Sequence, residues 1–534
     1  MENGAAPTPP ASRTKQLTLV AAILGTTVVT VDSTVVNIAL PAIADDLGGG
    51  LAGQQWTSNA YLVTLSSLIL IGGSLGDIFG ERRMFMIGVG GFGVTSLFCA
   101  LAPTIELLVL ARALQGVFGA LLTPAALAVI TSTFPPDERG KAIGAWTAWG
   151  GIGTVLGPLI GGQLVESASW RWIFAINIPV VAITLVLVTR VMVAGRPRRE
   201  DARVDYVGAL LCAFGLAGVT YGLIEQPLRG WSSPGVWLPL VTGVVLFAAF
   251  IVWEARSRHP MLPLSLFRRR NFAIGNIETF SMYAGLGLLF FFLVLYLQQV
   301  AGFSPVEAGT TTLPVTGMMF LFSTRFGALA DRHGPRFFMG VGPLVAATGL
   351  ALFLRIGADV NYVTDLLPGL LVFALGLSMT VAPLTATVLA DADESNAGIA
   401  SGTNNAIARV ASLIAIAAVG ALVSSSFGDS LREQLGPAAN RPAVSRAIHK
   451  AEQQPLARVE VTQGPPGVRR RLEQASLDAS VDAFHLAIGI AAVLVAVGGV
   501  LGLVGIVNPR RLVKASDCPG GQLVGATAEA ARAA

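Results

Sequence analysis

Long apolar stretches separated by short polar loops make up most of the 534-residue chain. Each stretch contains about 20 residues, the length at which an α-helix crosses the ~30 Å hydrocarbon core of a bilayer. The pattern therefore predicts an all-α polytopic membrane protein with about fourteen transmembrane helices. The predicted spans lie near Leu17–Leu40, Trp56–Leu75, Met84–Ala102, Glu106–Ile130, Ala142–Leu164, Trp172–Val193, Tyr206–Ile224 and Val236–Trp253, and six more begin near Phe272, Glu307, Phe337, Val363, Gly398 and Phe484.

Composition argues against most soluble functions. Hydrophobic residues make up 53% of the chain, charged residues make up 13%, and the mean hydropathy is +0.67, far above the range of soluble domains. The three cysteines show no CxxC spacing, so neither a zinc site nor a disulfide framework is predicted. The chain has no GxxxxGK(S/T) loop and no HExxH motif, which argues against an ATP-driven pump and against a zinc-dependent hydrolase. Its basic residues lie in short loops and form no Lys/Arg run longer than three residues, so no nucleic-acid partner is predicted.

Basic residues gather in alternate loops, as the positive-inside rule requires. The clusters are Arg13 with Lys15, Arg82 with Arg83, Arg139 with Lys141, Arg196, Arg198, Arg199 and Arg203, Arg256, Arg258 and Arg268–Arg270, Arg332 with Arg336, and Arg510 and Arg511 with Lys514. This distribution predicts a multi-pass protein of the inner (plasma) membrane with both termini cytoplasmic. The loop 424–483 is an exception, because it is basic although the order of the spans places it outside. Loops of about 60 residues translocate largely regardless of their charge, so this loop does not contradict the predicted orientation. Its composition predicts little regular structure.

Two loops repeat one pattern. Gly73-Ser74-Leu75-Gly76-Asp77-Ile78-Phe79-Gly80-Glu81-Arg82-Arg83 and Gly327-Ala328-Leu329-Ala330-Asp331-Arg332-His333-Gly334-Pro335-Arg336 lie 254 residues apart, each after the second span of its half. The chain therefore contains two related six-helix blocks, and two further spans are inserted between them. The expected division is a cytoplasmic tail at 1–16, an N-terminal bundle at 17–193, a linker with two helices at 194–271, a C-terminal bundle at 272–507 and a second tail at 508–534.

The repeated loop resembles the motif of the major facilitator superfamily, which reads glycine, any residue, leucine, a small residue, aspartate, arginine, any residue, glycine and arginine. The first copy departs from the motif at Ile78, which stands in place of the arginine. The resemblance implies the major facilitator fold, with two six-helix bundles plus the two inserted helices.

We expect the loop residues to form a conformational latch, in which Asp77 accepts hydrogen bonds at a helix end while Arg82 and Arg83 face lipid phosphates. The predicted latch residues are Gly73, Asp77, Gly80, Arg82, Arg83, Asp331 and Arg332. The alternative is a pair of basic turns that only satisfy topology.

Further stretches resemble the fourteen-span drug:proton antiporters of the same superfamily. They are Asp32-Ser33-Thr34-Val35-Val36-Asn37-Ile38-Ala39-Leu40-Pro41, Arg112-Ala113-Leu114-Gln115-Gly116, the antiporter motif from Gly153 to Gly162, Trp170-Arg171-Trp172-Ile173-Phe174 with Asn177-Ile178-Pro179, and Tyr296-Leu297-Gln298. The resemblance covers nearly the whole chain. It implies export of lipophilic or cationic drug-like molecules by alternating access in exchange for protons, within a lipid bilayer, driven by the proton gradient and without a cofactor.

Asp32 and Arg112 are the deepest charges of the first half. At 1.5 Å per residue, Asp32 lies about 12 Å and Arg112 about 10 Å below the outer ends of their spans. A charge in hydrocarbon costs at least ~2.5 kcal/mol, so such residues need a partner, a wet cavity or a function. We hypothesise that Arg112 sets the protonation of Asp32 and that the two couple transport to protons. The alternative is a static ion pair that locks two helices together.

Other residues are candidates for contact with substrate or protons. Arg409 lies mid-span one turn after Asn405, and Glu278 lies two turns into its span, where snorkelling to the interface is the competing explanation. Trp149 could stack on a flat cationic substrate, or it could face lipid.

The antiporter motif places small residues on one helix face. Gly153, Gly157 and Gly161 are spaced four apart, so another helix can approach closely, and Pro158 favours a kink beside Gly161 and Gly162. A hinge or seal between moving helices is predicted, with ordinary small-residue packing as the alternative.

Two other functions stay open. The first is a dedicated exporter of one natural product, metabolite or lipid. The second is a membrane receptor that binds through loop 424–483 without transporting, although Asp32 and Arg112 would then lack a purpose.

Overall fold

The computed structural model describes residues 12–191, 205–257, 260–390, 397–436, 448, 456 and 466–508, which are almost entirely helical. Helices satisfy every backbone hydrogen bond within the segment, as lipid requires. They are α1 (Ser12–Leu47), α2 (Gly50–Phe79), α3 (Glu81–Ala100), α4 (Ile105–Thr133), α5 (Pro136–Ser167), α6 (Trp172–Ala175), α7 (Asn177–Val191), α8 (Tyr206–Arg229), α9 (Pro234–Arg256), α10 (Arg270–Gln299), α11 (Pro305–Thr311), α12 (Leu313–His333), α13 (Pro335–Leu352), α14 (Leu367–Ala390), α15 (Ala397–Leu435) and α16 (Pro466–Gly505). Single 3-10 or π turns cover Leu264–Arg268, Phe353–Arg355 and Tyr362–Leu366.

The helices form fourteen segments of membrane-spanning length when α6 with α7, and α11 with α12, are each counted as one bent segment. Within the described residues, twelve segments combine that length with a sufficiently apolar composition. Helices α2 and α5 contribute the other two, with 30 and 32 residues. The prediction of an all-α polytopic membrane protein is confirmed, and the number of segments agrees with the fourteen expected spans.

Local sequence signals set the helix ends. Proline occupies the first turn of α5, α9, α11 and α13, where its missing N–H and fixed φ cost nothing. Ser304 and Glu307 form a capping box that starts α11. Gly80 and Gly334 end α2 and α12 with φ values of 93° and 90°, a region that favours glycine. These two glycines occupy equivalent positions in the repeated loops.

Two side-chain hydrogen bonds join the halves near one end of the bundle. We call the side where α1 begins and α16 ends the termini side, and the other the opposite side. Near the opposite side, Gln55 Nε2 donates to Ile416 O at 2.7 Å, and Gln298 Nε2 donates to Ile38 O at 2.9 Å. The larger apolar core also crosses from α1 into α10 and α13–α16 there. The halves are therefore joined at the opposite side.

The inserted helices α8 and α9 pack on the seam between the halves. Cys212, Leu216 and Phe250 share an apolar cluster with Val63 of α2 and Leu413 of α15. Nearer the opposite side, the Trp56 and Tyr221 rings lie 5.9 Å apart. The pair thus covers a line along which α2 of the first half meets α15 of the second.

The loop expected at 424–483 is shorter in the structure. Helix α15 continues to Leu435 and α16 begins at Pro466, so amphipathic ends extend beyond the apolar windows that defined the predicted spans. Helix α1 likewise begins at Ser12, inside the expected tail 1–16. The basic loop around Arg196–Arg203, most of the segment around Arg441–Arg471 and the tail after residue 508 lie outside the described residues.

Candidate functional site

Asp32 of α1 and Arg112 of α4 form an ion pair in the interior of the first half. Arg112 Nη1 lies 2.5 Å from Asp32 Oδ2, and the two side chains are 1% and 0% exposed. The similar depths inferred from sequence place the residues at one level, and the packing of α1 against α4 brings them together.

A polar network surrounds this ion pair. Gln115 Nε2 donates to Asp32 Oδ1 at 3.0 Å, and Asn177 Nδ2 donates to the same oxygen at 3.3 Å. Arg112 also donates to Gln115 Oε1 at 2.6 Å and, through Nε, to Thr57 O at 3.1 Å. A buried charge is tolerated when it is paired and fully hydrogen-bonded, so this network allows both ionised groups to persist away from water.

Aromatic rings complete the enclosure of the guanidinium. Arg112 Cζ lies 4.3 Å from the centre of the Tyr61 ring and 5.7 Å from that of Phe174, which are cation–π distances. Ser96 Oγ accepts from both Gln115 and Asn177, at 2.8 and 3.2 Å. Gln115 and Asn177 belong to the stretches that resemble the fourteen-span antiporters, but neither was among the predicted site residues. The signal for Gln115 was its spacing, because a residue three positions after Arg112 shares its helix face.

The glycine face of α5 packs against α1, the helix that carries Asp32. A Cβ on Gly153 would lie 3.3 Å from Thr27 Cγ2, and a Cβ on Gly157 would overlap Thr34 Oγ1. A Cβ on Gly161 would overlap the side chain of Val35. The antiporter motif therefore forms the surface against which α1 packs. One of the contacting residues, Thr34, is only two positions after Asp32.

The far end of the same motif joins the two halves. A Cβ on Gly162 would lie 2.7 Å from Pro305 O and 2.8 Å from Val306 Cα, and a Cβ on Gly309 would collide with Pro158 O. Glycine at these positions is thus required for the backbones of α5 and α11 to touch. One helix, α5, contacts both the Asp32 helix and the partner half.

Arg409 of α15 lies between the halves. Leu413, four residues further along α15, shares an apolar cluster with Val63 of α2 in the first half. Ser412, one turn along α15, donates to Tyr283 O at 2.8 Å. Asn405, one turn in the other direction, is exposed.

The structure separates the remaining candidates from one another. Glu278 is fully buried, and within the described residues neither carboxyl oxygen has a hydrogen-bond partner. It lies against α16, where a Cβ on Gly502 would lie 2.9 Å from Glu278 Oε2. Glu278 therefore does not snorkel to the interface. The Trp149 side chain is 52% exposed on α5.

The predicted latch residues occupy the termini side. Arg82 Nη2 donates to Thr189 O at 3.2 Å, so it contacts the end of α7 instead of only lipid phosphates. Arg83, Asp331 and Arg332 are exposed. A Cβ on Gly73 would lie 3.8 Å from Pro124 Cβ of α4. The side chain of Asp77 lies outside the described part, so the hydrogen bond expected for it stays a prediction.

Comparison with known proteins identifies the family. A model of the Major Facilitator Superfamily matches residues 22–416, and the chain belongs to that superfamily. It is 36% identical to the tetracenomycin C resistance and export protein of Streptomyces glaucescens, over 80% of this chain and 79% of the relative. It is 37% identical to the puromycin resistance protein pur8 of Streptomyces alboniger, over 75% and 80%. The multidrug resistance protein Stp of Mycobacterium tuberculosis (strain CDC 1551 / Oshkosh) is 32% identical, over 81% and 80%.

Solved structures support the same fold. A bacterial homologue of the human lysosomal transporter Spinster, in an inward-facing and unoccupied conformation, superposes with a TM-score of 0.63 at 17% identity, covering 94% of this chain and all of the other. A D-xylose–proton symporter gives a TM-score of 0.55 at 15% identity, covering 82% and 95%. The family expected from the motifs is therefore confirmed, and its relatives include drug and antibiotic resistance and export proteins.

Proposed function

We propose that this protein is a proton-coupled antiporter that exports lipophilic or cationic drug-like molecules across the inner (plasma) membrane by alternating access. The observation that carries the proposal is the buried Asp32–Arg112 pair within its network of Gln115, Asn177 and Ser96. Relatives named for drug resistance and export support the substrate class. No cofactor takes part.

The predicted orientation in the membrane indicates which conformation of the transporter this structure represents. With both termini cytoplasmic, as the positive-inside rule predicts, the side at which the halves are joined faces outward. The structure then corresponds to an inward-facing state, in which a cavity between bundles 17–193 and 272–507 opens to the cytoplasm. The ties of Gln55, Gln298 and Gly162 must break for the cavity to open outward.

Protonation of Asp32 is the coupling step. In the present state Asp32 accepts hydrogen bonds from three side chains, an arrangement that suits the carboxylate. After the cavity has opened outward, a proton that arrives from outside removes the negative charge and weakens the hold of Asp32 on Arg112. Helix α1 then shifts along the glycine face of α5, and α5 transmits the shift to α11 of the other half. Glu278 is the second candidate for carrying a proton.

In this proposal, the repeated loops stabilise one conformation of the transport cycle. We assign Asp77, Arg82, Arg83, Asp331 and Arg332, with their turn glycines, to a latch at the cytoplasmic side. The inserted linker helices seal the seam between α2 and α15.

Efflux from intact cells tests the proposal. Cells that express the wild type, Asp32→Asn or Asp46→Asn are loaded with a dye panel that includes ethidium, with and without a protonophore. Asp46 is the matched control, because it lies on the same helix in an exposed ion pair with Arg171. We expect efflux by the wild type and Asp46→Asn, and none by Asp32→Asn or after protonophore addition. Equal efflux by Asp32→Asn and the wild type would exclude the proposed coupling residue.

The second candidate is a dedicated exporter of one natural product. Relatives named for a single antibiotic favour it, namely the tetracenomycin C and puromycin proteins. Protection against one compound of a structurally diverse panel, with the others unaffected, would select this narrower function.

A further inference from the structure

Two carboxyl groups face each other where the inserted helices reach the termini side. Asp205 caps the start of α8, and Glu254 lies in the last turn of α9. A Cβ on Gly208 would lie 2.6 Å from Glu254 Oε1 and 2.9 Å from Asp205 Oδ2, so the two oxygens border one small space. Glycine at this position leaves room for the Glu254 carboxyl.

The two carboxyl groups differ in their hydrogen bonds. Asp205 accepts from Gly208 N at 2.8 Å, and Trp253 Nε1 lies 2.9 Å from each of its oxygens. Glu254 is 2% exposed, and its Oε2 accepts from Leu262 N at 2.9 Å. Within the described residues, Glu254 Oε1 has no hydrogen-bond partner. Asp205 is therefore better suited than Glu254 to carry a negative charge.

No described cation compensates for a second negative charge at this place. In the part of the chain that the structure describes, no Lys or Arg nitrogen lies within 4.0 Å of the Glu254 carboxyl. The elements packed around the pair carry these other titratable residues: Tyr206 and Arg256, which are exposed at the ends of α8 and α9, Cys212 within α8, Arg409 on α15, and Arg258 and His259, which lie outside the described residues. Two neighbouring carboxyl groups do not both ionise readily, and the one with fewer donors keeps its proton.

We propose that Glu254 binds a proton and shares it with Asp205, so that Glu254 Oε1 donates to Asp205 Oδ2. The proton comes from water that reaches the half-buried Asp205, and it returns there as the pH rises. It gives Oε1 a partner and removes the repulsion between the two groups. This site is separate from Asp32, and proton binding here does not depend on the proposed transport function.

The shared proton fastens the linker between the inserted helices and the second half. Leu262 N binds the same carboxyl, and the side chains of Met261 and Leu262 pack against the apolar cluster that contains Val63 of α2 and Leu413 of α15. Farther along the linker, Leu266 is buried against the second half. Loss of the proton leaves two carboxylates facing each other, so α9 and the linker separate from the start of α8. Because the positive-inside rule places this end in the cytoplasm, an alkaline cytoplasm loosens the linker.

Infrared spectroscopy of the purified protein tests the proton on Glu254, because the carbonyl stretch of a neutral carboxylic acid is resolved from the bands of carboxylates. Spectra are recorded at about pH 6, where an ordinary glutamate, with a pKa of about 4.3, is ionised. We expect the wild type to show a neutral-acid band that Glu254→Gln lacks. Glu225→Gln is the matched control, because Glu225 pairs with Arg229 on the same inserted helices, and it should keep the band. Glu278 is present in every variant, so its contribution cancels in difference spectra.

Asp205→Asn tests whether the proton is shared. Asparagine still caps α8 and still accepts from Trp253, but it removes the negative charge beside Glu254. Without that charge, Glu254 should release its proton at a pH lower by ~1 unit or more than in the wild type. A neutral-acid band that disappears at the same pH in both proteins would exclude Asp205 as the partner.

Limited proteolysis tests the effect on the linker. At about pH 9 trypsin should cut after Arg256 at least ~3-fold faster in the wild type than in Glu254→Gln, because glutamine donates to Asp205 and accepts from Leu262 N at any pH. Equal cleavage of the two proteins would overturn the proposed hold on the linker. An identical neutral-acid band in the wild type and in Glu254→Gln would overturn the proton site itself.

Discussion

Arg82 and Arg336 occupy equivalent positions in the two halves of the molecule, 254 residues apart. Arg82 Nη2 donates to Thr189 O at 3.2 Å, and Arg336 Nε donates to Leu503 O at 2.5 Å. Each acceptor lies in the last turns of the sixth helix of its own half. Each arginine therefore ties the third helix of its bundle to the negative end of the sixth.

Removal of either tie should destabilise the protein. A cation at a helix C-terminus contributes about 0.3–1 kcal/mol, and up to ~2 kcal/mol when partly buried. Arg82→Gln and Arg336→Gln should each lower the midpoint of thermal unfolding by up to roughly 2 °C, because the unfolding entropy of about 2 cal/mol/K per residue makes the shift small in a long chain. Arg83→Gln is the control, because Arg83 is exposed, and its midpoint should not change. If all three variants have the same unfolding midpoint as the wild type, the contacts at the helix ends contribute no stability.

The glycine face of α5 can be tested by steric conflict and rescue. Gly157→Ala places a methyl group against Thr34 Oγ1, so α1 must move away from α5 and transport should fall at least ~10-fold. Gly157→Ala combined with Thr34→Ala removes the conflicting oxygen and should recover most of that activity.

Gly317→Ala serves as the control for this pair, because nothing lies within 4 Å of a Cβ at that position. Dye efflux from cells is the measurement, normalised to protein in the membrane. Full activity of Gly157→Ala would show that close contact between α1 and α5 is not needed.

Substitution by Met should change the free energy of unfolding in opposite directions at Glu278 and at Glu307. Glu278 has two buried oxygens without a described partner, so Glu278→Met should raise the free energy of unfolding by about 1–3 kcal/mol. Glu307 accepts from Ser304 N at 2.8 Å in a capping box, so Glu307→Met should lower it by about 1 kcal/mol. Thermal unfolding in detergent distinguishes the signs. A large loss of stability in Glu278→Met would mean that the carboxyl has a stabilising partner.

The proposed transport cycle requires the contact between α5 and α11 to open. Gly162→Cys with Val306→Cys, in a background without Cys99, Cys212 and Cys518, places two thiols where a Cβ and Val306 Cα approach to 2.8 Å. Oxidation should abolish transport, and reduction should restore it. Each single cysteine variant is the control. Undiminished transport by the cross-linked protein would argue that this contact does not separate.

Sequence patterns predicted most of the fold, because lipid leaves few choices. Apolar length gave the helices, and the repeated loops gave the two halves with an insertion between them. The patterns did not show that α15 and α16 extend beyond the membrane-length windows, since polar helix ends carry no hydropathy signal.

The candidate site was only partly predictable. Asp32 and Arg112 stand out because charges in apolar spans are costly, and the structure places them together. Gln115 and Asn177 were less visible, since a neutral amide costs less to bury than a charge and their roles depend on packing between α1, α4 and α7. The different surroundings of Glu278 and Arg409 likewise depend on tertiary contacts that a single span does not encode.

The most direct test of proton coupling uses proteoliposomes that contain either the wild type or Asp32→Asn, with a dye that the wild type transports. Dye accumulation is measured under an imposed pH gradient, and exchange of labelled for unlabelled dye is measured without one. We expect Asp32→Asn to exchange dye but to fail to accumulate it, because the variant cannot take up and release the coupling proton. Accumulation by Asp32→Asn to the wild-type ratio would contradict the account.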